Sequence, residues 1–213
     1  MKQLILSLIL LFNVLEANRL SFTKKDVETI KHLPQKKAAL KRILMYNELK
    51  EKIKDYSTIR KLSHINAFYN KIMPVLDQTQ YKIGDHWATR KEFLIQGKGD
   101  CEDYVIAKYF SLIELGIPKK KLYLSVVKVK GAKTDHMVLL YLQHKKAIPL
   151  VMDNLSFKVV PLTIRKKLSP KFAFNESASY LLSNESFGKK VRINWKGNNK
   201  WEELLTRVYD KHE

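Results

Sequence analysis

The sequence predicts an α+β fold in which amino-terminal helices, and then a helix that carries the only cysteine, pack on an antiparallel sheet. Apolar residues recur at helical spacing in several segments of residues 23–115, whereas residues 121–153 alternate as strands do. The chain of 213 residues is 45% hydrophobic, which is enough for one substantial core. Because no linker-like stretch divides it, residues 18–213 are expected to form a single domain.

Residues 1–17 have the layout of a secretory signal peptide. Lys2 comes early, residues 4–15 are mostly apolar, and the small residue Ala17 follows. The apolar run, about 12 residues, is shorter than the ~20 residues that span a bilayer, although an uncleaved amphipathic anchor is the alternative. We therefore expect an exported mature chain. One cysteine cannot close a disulfide within the chain, so the fold has to be stable without one.

The first half of the mature chain predicts three helices. Apolar residues recur at helical spacing in residues 23–33 and 35–54, and Pro34 separates the two segments. Residues 58–73 carry the clearest apolar stripe, and Pro74 ends that helix. These helices are expected to supply packing surface.

The cysteine lies at the start of the next long helix. Residues 75–99 lack strong periodicity beyond a short helical turn near residues 89–94, so we expect an irregular approach. Asp100 is suited to cap a helix over residues 101–115, and Gly116 provides its stop. Cys101 is therefore expected in the first turn of that helix.

Strands follow this helix. Residues 121–130, 136–142 and 148–153 are predicted as strands from their alternation and apolar content. In the remainder, where the signals weaken, we predict a strand at residues 191–195 and a closing helix at residues 199–210.

Cys101, His136 and Asp153 are the candidate catalytic residues. His136 begins one predicted strand and Asp153 ends its antiparallel neighbour, which would bring the two side chains together. A thiol at a helix amino terminus is favoured as a thiolate by the free N–H groups and the helix dipole, and an imidazole held by a carboxylate can act as its base. For each residue taken alone, the alternative is structural: a buried thiol, a satisfied histidine or a turn residue.

Three acids flank the thiol: Asp100, Glu102 and Asp103. Negative charges there disfavour a thiolate, so a cation is expected to neutralise them, and clustered carboxylates suit Ca²⁺. The spacing is not that of an EF-hand. The alternative interpretation is that these acids only favour the helix amino terminus.

The net charge is +19, from 40 Lys and Arg against 21 Asp and Glu. The lysines are spread along the chain without an aromatic stacking ladder or a nucleic-acid motif, so we interpret them as a solvated basic surface and predict no nucleic-acid partner. A non-catalytic basic module that binds an anionic polymer or membrane is the competing hypothesis from a different functional class.

Several motifs in order resemble the bacterial transglutaminase-like cysteine proteinases, the periplasmic adhesin-releasing family known as LapG. The resemblance spans roughly residues 55–180. The segments that carry it are Asp85-His86-Trp87-Ala88-Thr89 with Glu92-Phe93-Leu94, Gly99-Asp100-Cys101-Glu102-Asp103-Tyr104 with Ala107-Lys108-Tyr109, Leu115-Gly116-Ile117-Pro118, His136-Met137-Val138-Leu139, and Pro149-Leu150-Val151-Met152-Asp153-Asn154-Leu155.

The resemblance implies a papain-like or transglutaminase-like fold. It also implies that Cys101 is the nucleophile, His136 the base and Asp153 the residue that orients the base. The calcium ligands that it implies are Asp100, Glu102 and Asp103. Two positions depart from the usual pattern of the family: His86 stands where a tyrosine is common, and Arg90 where a proline is common.

The resemblance further implies an activity and partners. Members of the family are periplasmic endopeptidases that cut a large repeat adhesin near its amino terminus at a di-alanine site, which releases the adhesin and promotes biofilm dispersal. Many are held in check by the periplasmic domain of an inner-membrane cyclic di-GMP receptor. A transglutaminase-type acyl transfer to an amine would use the same three residues and is the nearest alternative.

Overall fold

The computed structural model describes residues 20–76, 86–195 and 197–210. The predicted signal peptide, residues 1–17, lies outside these ranges. The helices are α1 (Lys24–His32), α2 (Lys36–Ile53), α3 (Thr58–Tyr69), α4 (Arg90–Gln96), α5 (Cys101–Glu114) and α6 (Lys200–Asp210). The strands are β1 (Met73–Pro74), β2 (Lys98–Gly99), β3 (Leu122–Val129), β4 (Asp135–Tyr141), β5 (Leu150–Asp153), β6 (Ser156–Pro161), β7 (Leu168–Phe174), β8 (Ser179–Leu182) and β9 (Phe187–Lys190).

The three predicted amino-terminal helices are confirmed as α1, α2 and α3. Thr23 begins α1 with a capping box in which its hydroxyl accepts the Asp26 N–H and the Asp26 carboxylate accepts the Thr23 N–H. α3 ends at Tyr69, several residues before the predicted boundary. The apolar stripe of α3 is buried as its spacing predicts, with Leu62 and Ile65 fully inaccessible.

A large antiparallel sheet forms the second layer. Its strand order is β6-β5-β4-β3-β7-β8-β9, and every neighbouring pair is antiparallel. The short strands β1 and β2 form a separate parallel pair. Because β5 runs antiparallel to its neighbour β4, the first residues of β4 and the last residues of β5 lie at the same end of the sheet.

Helix α5 lies in the middle of the molecule. It packs on β3 and β4 on one side and on α3 and α4 on the other. Ten consecutive residues of α5, Asp103 to Leu112, are buried, so the helix is enclosed on all sides rather than amphipathic. Gly116 adopts a left-handed conformation with φ +84° just after α5, as expected of a residue that ends a helix. The prediction of α5 is thus confirmed, and more of the helix surface is buried than its sequence pattern indicates.

The sheet is buried on both faces. Leu139 and Tyr141 of β4 face the helices, whereas Val138 and Leu140 face a second apolar cluster behind the sheet. Burial on both faces explains why β4 is a nearly continuous apolar run.

The carboxyl-terminal third differs most from expectation. The closing helix is confirmed as α6. The strand predicted at residues 191–195 is wrong: the segment has no regular strand, and the edge strand β9 ends one residue before it. The sequence signals did not predict strands β6, β7 and β8. None of the helices in the described ranges is long and apolar enough to cross a membrane.

Candidate active site

His136 and Asp153 meet at one end of the sheet. The Nε2 atom of His136 lies 2.8 Å from Oδ1 of Asp153, with both side chains buried or nearly so. Oδ1 also accepts the main-chain N–H of Leu155 at 2.9 Å, and Oδ2 accepts the guanidinium of Arg165 at 2.6 Å. The sequence predicted the pairing of His136 with Asp153 from strand positions, and the structure brings the two together.

The Asp153 carboxylate is held in its charged form. Burial raises the pKa of this carboxyl, but the hydrogen bonds from His136 and from the Leu155 N–H, together with the charge of Arg165, lower it below its usual value overall. An ionised acceptor on Nε2 fixes the orientation of the imidazole. Nδ1 is therefore the ring nitrogen that can exchange a proton with a neighbouring group.

Cys101 is the first residue of α5, as predicted, and is partly buried. Its helix packs on β4, and the main chain of Met137, which follows His136 on that strand, lowers the pKa of the thiol. Its thiol donates to Oε2 of Glu102, with 3.1 Å between sulfur and oxygen. The helix amino terminus thus brings the thiol against the same strand that carries the imidazole.

The surroundings of Cys101 oppose ionisation of the thiol. Burial raises the pKa of the thiol most, and the Glu102 and Asp100 carboxylates raise it further, whereas the Met137 hydrogen bond lowers it. Burial and the two carboxylates thus oppose the thiolate, as the repulsion expected from the sequence indicates.

The acids around the thiol have distinct roles. Asp103 is fully buried; its Oδ1 accepts the Ala88 N–H at 2.8 Å and its Oδ2 accepts the Asp100 N–H at 3.2 Å, which closes a capping box with Asp100. Asp103 therefore anchors the approach segment to α5. Gly99 allows this close approach, because a Cβ there would overlap the Asp103 carboxylate. Within the part of the chain that the structure describes, no group of three or more His, Cys, Asp or Glu side chains is arranged to hold a metal ion.

Two positions that depart from the family pattern are now located. Arg90 is 1% exposed, and its Nη1 lies 2.6 Å from Oε2 of Glu114 and 3.2 Å from the Tyr46 hydroxyl. It is thus part of the core and not of a surface groove. His86 lies 3.6 Å from the Glu92 carboxylate, near the amino-terminal end of α4.

Three residues behind Asp153 were not predicted from residue spacing: Arg165, Asn70 and Lys108. Arg165 follows a short 3₁₀ turn (Leu162–Ile164) and reaches back to the carboxylate. Lys108 belongs to one of the motifs that carry the family resemblance, but its spacing indicates no role. A lysine within the apolar run of a core helix is unusual, and this is the feature of the sequence that could have indicated a role for Lys108.

Comparisons with known proteins agree on one family. The model of the family described as bacterial transglutaminase-like cysteine proteinase matches residues 41–167, a range that includes Cys101, His136 and Asp153. The calcium-bound structure of Legionella pneumophila LapG is 26% identical to this chain, with a TM-score of 0.70 and coverage of 87% of this chain and 98% of that one. The EGTA-treated structure of the same protein is also 26% identical, with a TM-score of 0.69 and coverage of 85% and 94%. No protein in the curated set matches.

Proposed function

Because the chain belongs to the bacterial transglutaminase-like cysteine proteinase family, we propose that it is a calcium-dependent endopeptidase with Cys101 as nucleophile, His136 as base and Asp153 as the residue that orients the base. Family membership makes it a cysteine peptidase. The observation that supports these roles is the 2.8 Å bond between His136 and Asp153, formed at the end of the strand against which the helix of Cys101 packs. This arrangement matches the division of labour in a nucleophile, base and carboxylate triad.

The proposed reaction is hydrolysis through an acyl-enzyme. His136 removes the proton of the Cys101 thiol, the sulfur attacks the carbonyl carbon of the scissile amide, and the imidazolium donates that proton to the departing amine. A water molecule, deprotonated by His136, then attacks the thioester and restores the thiol. The main-chain N–H of Cys101, at the start of α5, is the candidate donor to the oxyanion.

Calcium is the proposed cofactor, and the acids at the start of α5 supply the kind of oxygen donor that it prefers, although the three side chains do not converge in this structure. Asp100 and Glu102 offer hard oxygen ligands, and main-chain carbonyls and water commonly complete a calcium site. Asp103 stays in the predicted ligand set, since a carboxylate oxygen that accepts one N–H still has a lone pair. A bound cation would cancel the negative charge that raises the pKa of the thiol. The related LapG has been solved in a calcium-bound form.

For substrate and partner, we extend the proposal from the family resemblance. The substrate is the amino-terminal region of a large repeat adhesin with a di-alanine site, cut in the periplasm to promote biofilm dispersal. The controlling partner is the periplasmic domain of a cyclic di-GMP receptor in the inner membrane. The basic surface, with a net charge of +19, would favour an acidic adhesin segment.

The test is cleavage of an adhesin amino-terminal fragment by the purified mature protein. The wild type should yield two products whose masses show hydrolysed ends, and Cys101→Ala should yield none while its thermal unfolding stays close to that of the wild type. Cleavage by Cys101→Ala would contradict the assignment of the nucleophile. An isopeptide-linked product in the presence of an amine would instead support acyl transfer.

Chelation tests the cofactor separately. EGTA should abolish cleavage, and added calcium should restore it, because without the cation the two carboxylates oppose the thiolate. Full activity in EGTA would remove calcium from the proposal but leave the triad standing.

A further inference from the structure

Lys108 is a charged residue enclosed in the core beside the candidate site. It lies on α5, two turns after Cys101, and its side chain is fully inaccessible. Its Nζ donates to Oδ1 of Asn70 at 2.7 Å and lies 5.7 Å from the centre of the Tyr104 ring. A lysine is almost never buried this completely without a specific partner, so the role of this amine needs a physical explanation.

Asn70 links the amine to the turn that carries Asp153. It caps the carboxyl end of α3, and its Nδ2 donates to the main-chain oxygen of Asp153 at 2.7 Å and to that of Ser156 at 2.9 Å. The amide therefore uses both of its sides: its oxygen accepts from Lys108, and its nitrogen donates to the β5–β6 turn. This connection joins helix α5, which carries the thiol, to the strand end that carries the carboxylate.

Few charged groups face Lys108. Asp153 on β5 is the negative charge that acts on the amine, and the carboxylate of Asp153 is itself bonded to His136 on β4 and to Arg165. On α5 the ring of Tyr104 faces the amine, and at the end of α3 the uncharged amide of Asn70 accepts from it. Burial lowers the pKa of Lys108 to about 7, although Asp153 raises it. The amine therefore changes charge near neutral pH.

We propose that Lys108 is a positioning residue of the triad, which holds the Asp153 main chain through Asn70 and places an amine where the charge of Asp153 acts on it. This inference rests on the proposed function. When protonated, Lys108 disfavours a second positive charge on the imidazole that bonds the same Asp153 carboxylate. When neutral, it retains the hydrogen bond to Asn70 and with it the position of the β5–β6 turn.

A merely structural role for Lys108 predicts something different. A core lysine that only fills space and satisfies Asn70 would affect stability and leave the pH profile of catalysis unchanged. The two roles therefore separate in the turnover rate measured against pH, and a matched control is available. Lys50 on α2 is a second largely buried lysine, 2.8 Å from Glu114, and none of its hydrogen bonds reaches Asp153.

The experiment measures kcat and KM for cleavage of the adhesin fragment from about pH 5.5 to 9 with wild type, Lys108→Met, Lys50→Met and Asn70→Ala. Lys108→Met should lower kcat by about tenfold or more with KM within about twofold, because a small misplacement of a catalytic group costs that much. Its activity below neutral pH should decline at a pH about one unit higher than in the wild type, because the nearby positive charge is lost. Asn70→Ala should lower kcat without this displacement, and Lys50→Met should change neither.

The outcomes separate the inference from the function on which it rests. An active wild type with an unaltered kcat and pH profile in Lys108→Met overturns the inference alone. The inference also fails if Lys108→Met and Lys50→Met behave alike. If Lys108→Met does not fold, the kcat of Asn70→Ala decides, and a wild-type value overturns the inference. A wild type that hydrolyses no adhesin fragment overturns the proposed function, and the inference with it.

Discussion

Replacing Lys108 with methionine should alter how the stability of the protein depends on pH. Burial lowers the pKa of this amine from 10.5 to about 7 in the folded state. Between these values the unfolded chain binds a proton that the folded chain has released, so the wild type gains stability as pH rises through the window. At about 1.4 kcal/mol for each pH unit, the penalty for the charged amine reaches about 5 kcal/mol below pH 7. Methionine has nearly the same length and carries no titrating group, so it removes this pH dependence.

The measurement is urea unfolding at several pH values, followed by the fluorescence of the tryptophans. From pH 7 to about 9.5, the free energy of unfolding of Lys108→Met minus that of the wild type should fall by about 3 kcal/mol. The loss of the bond to Asn70 adds an offset that does not depend on pH. Lys50→Met, the matched control, removes a lysine that a carboxylate 2.8 Å away compensates, and it gives the reference for the loss of a largely buried amine. A flat difference for Lys108→Met would mean that the amine stays charged in the fold, and the reasoning from its burial would be refuted.

Three further substitutions test other contacts. Glu114→Gln should lower the free energy of unfolding by about 3 kcal/mol at pH 7 in urea titrations, because it leaves the buried charge of Arg90 uncompensated. Burial raises the pKa of Glu114, but the charge of Arg90 and the hydrogen bonds to the carboxylate lower it below its usual value overall. The stability deficit of Glu114→Gln should therefore shrink as pH falls below the usual titration range of a glutamate. A deficit that stays constant with pH would contradict this reasoning. Gly99→Ala should cost about 1–3 kcal/mol in thermal unfolding, because the added methyl group displaces the Asp103 cap, and wild-type stability would show that the cap can shift freely. Arg165→Met should reduce kcat by about tenfold and lower the free energy of unfolding by about 3 kcal/mol at pH 7, because it removes the charged partner of a buried carboxylate, and an unchanged kcat would make Arg165 dispensable for orientation.

The sequence predicted those elements whose local signals agree with their burial. Helix α5 is one such element, because a capping acid precedes it and Gly116 follows it in the left-handed conformation. The later strands lack such signals. In β6, residues on both faces are exposed, so apolar and polar residues do not alternate clearly along the strand. Strand β7 contains Pro170, which pairs with Val127 where the register of the sheet shifts. Only the assembled sheet supplies partners for such strands.

The residues of the candidate site likewise fall into those that the sequence predicted and those that it did not. Cys101, His136 and Asp153 stand at the ends of elements that could be recognised along the chain, so the pairing of His136 with Asp153 followed from the expected topology. Arg165 and Lys108 act on Asp153 from outside its own strand, across 12 residues in the first case and from a different helix in the second. Such contacts depend on the direction and length of side chains in the folded molecule, so they cannot be predicted from the spacing of residues along one sequence.

The order of these elements along the chain has a consequence for when the proposed activity could arise. His136 and Asp153 belong to neighbouring strands of one antiparallel meander, whereas Cys101 belongs to a helix that packs across that meander. Under the proposed roles, peptide cleavage would require this helix and the sheet to be docked together. A chain in which the two layers are apart would therefore lack the proposed activity, so the proposed activity would depend on completed folding.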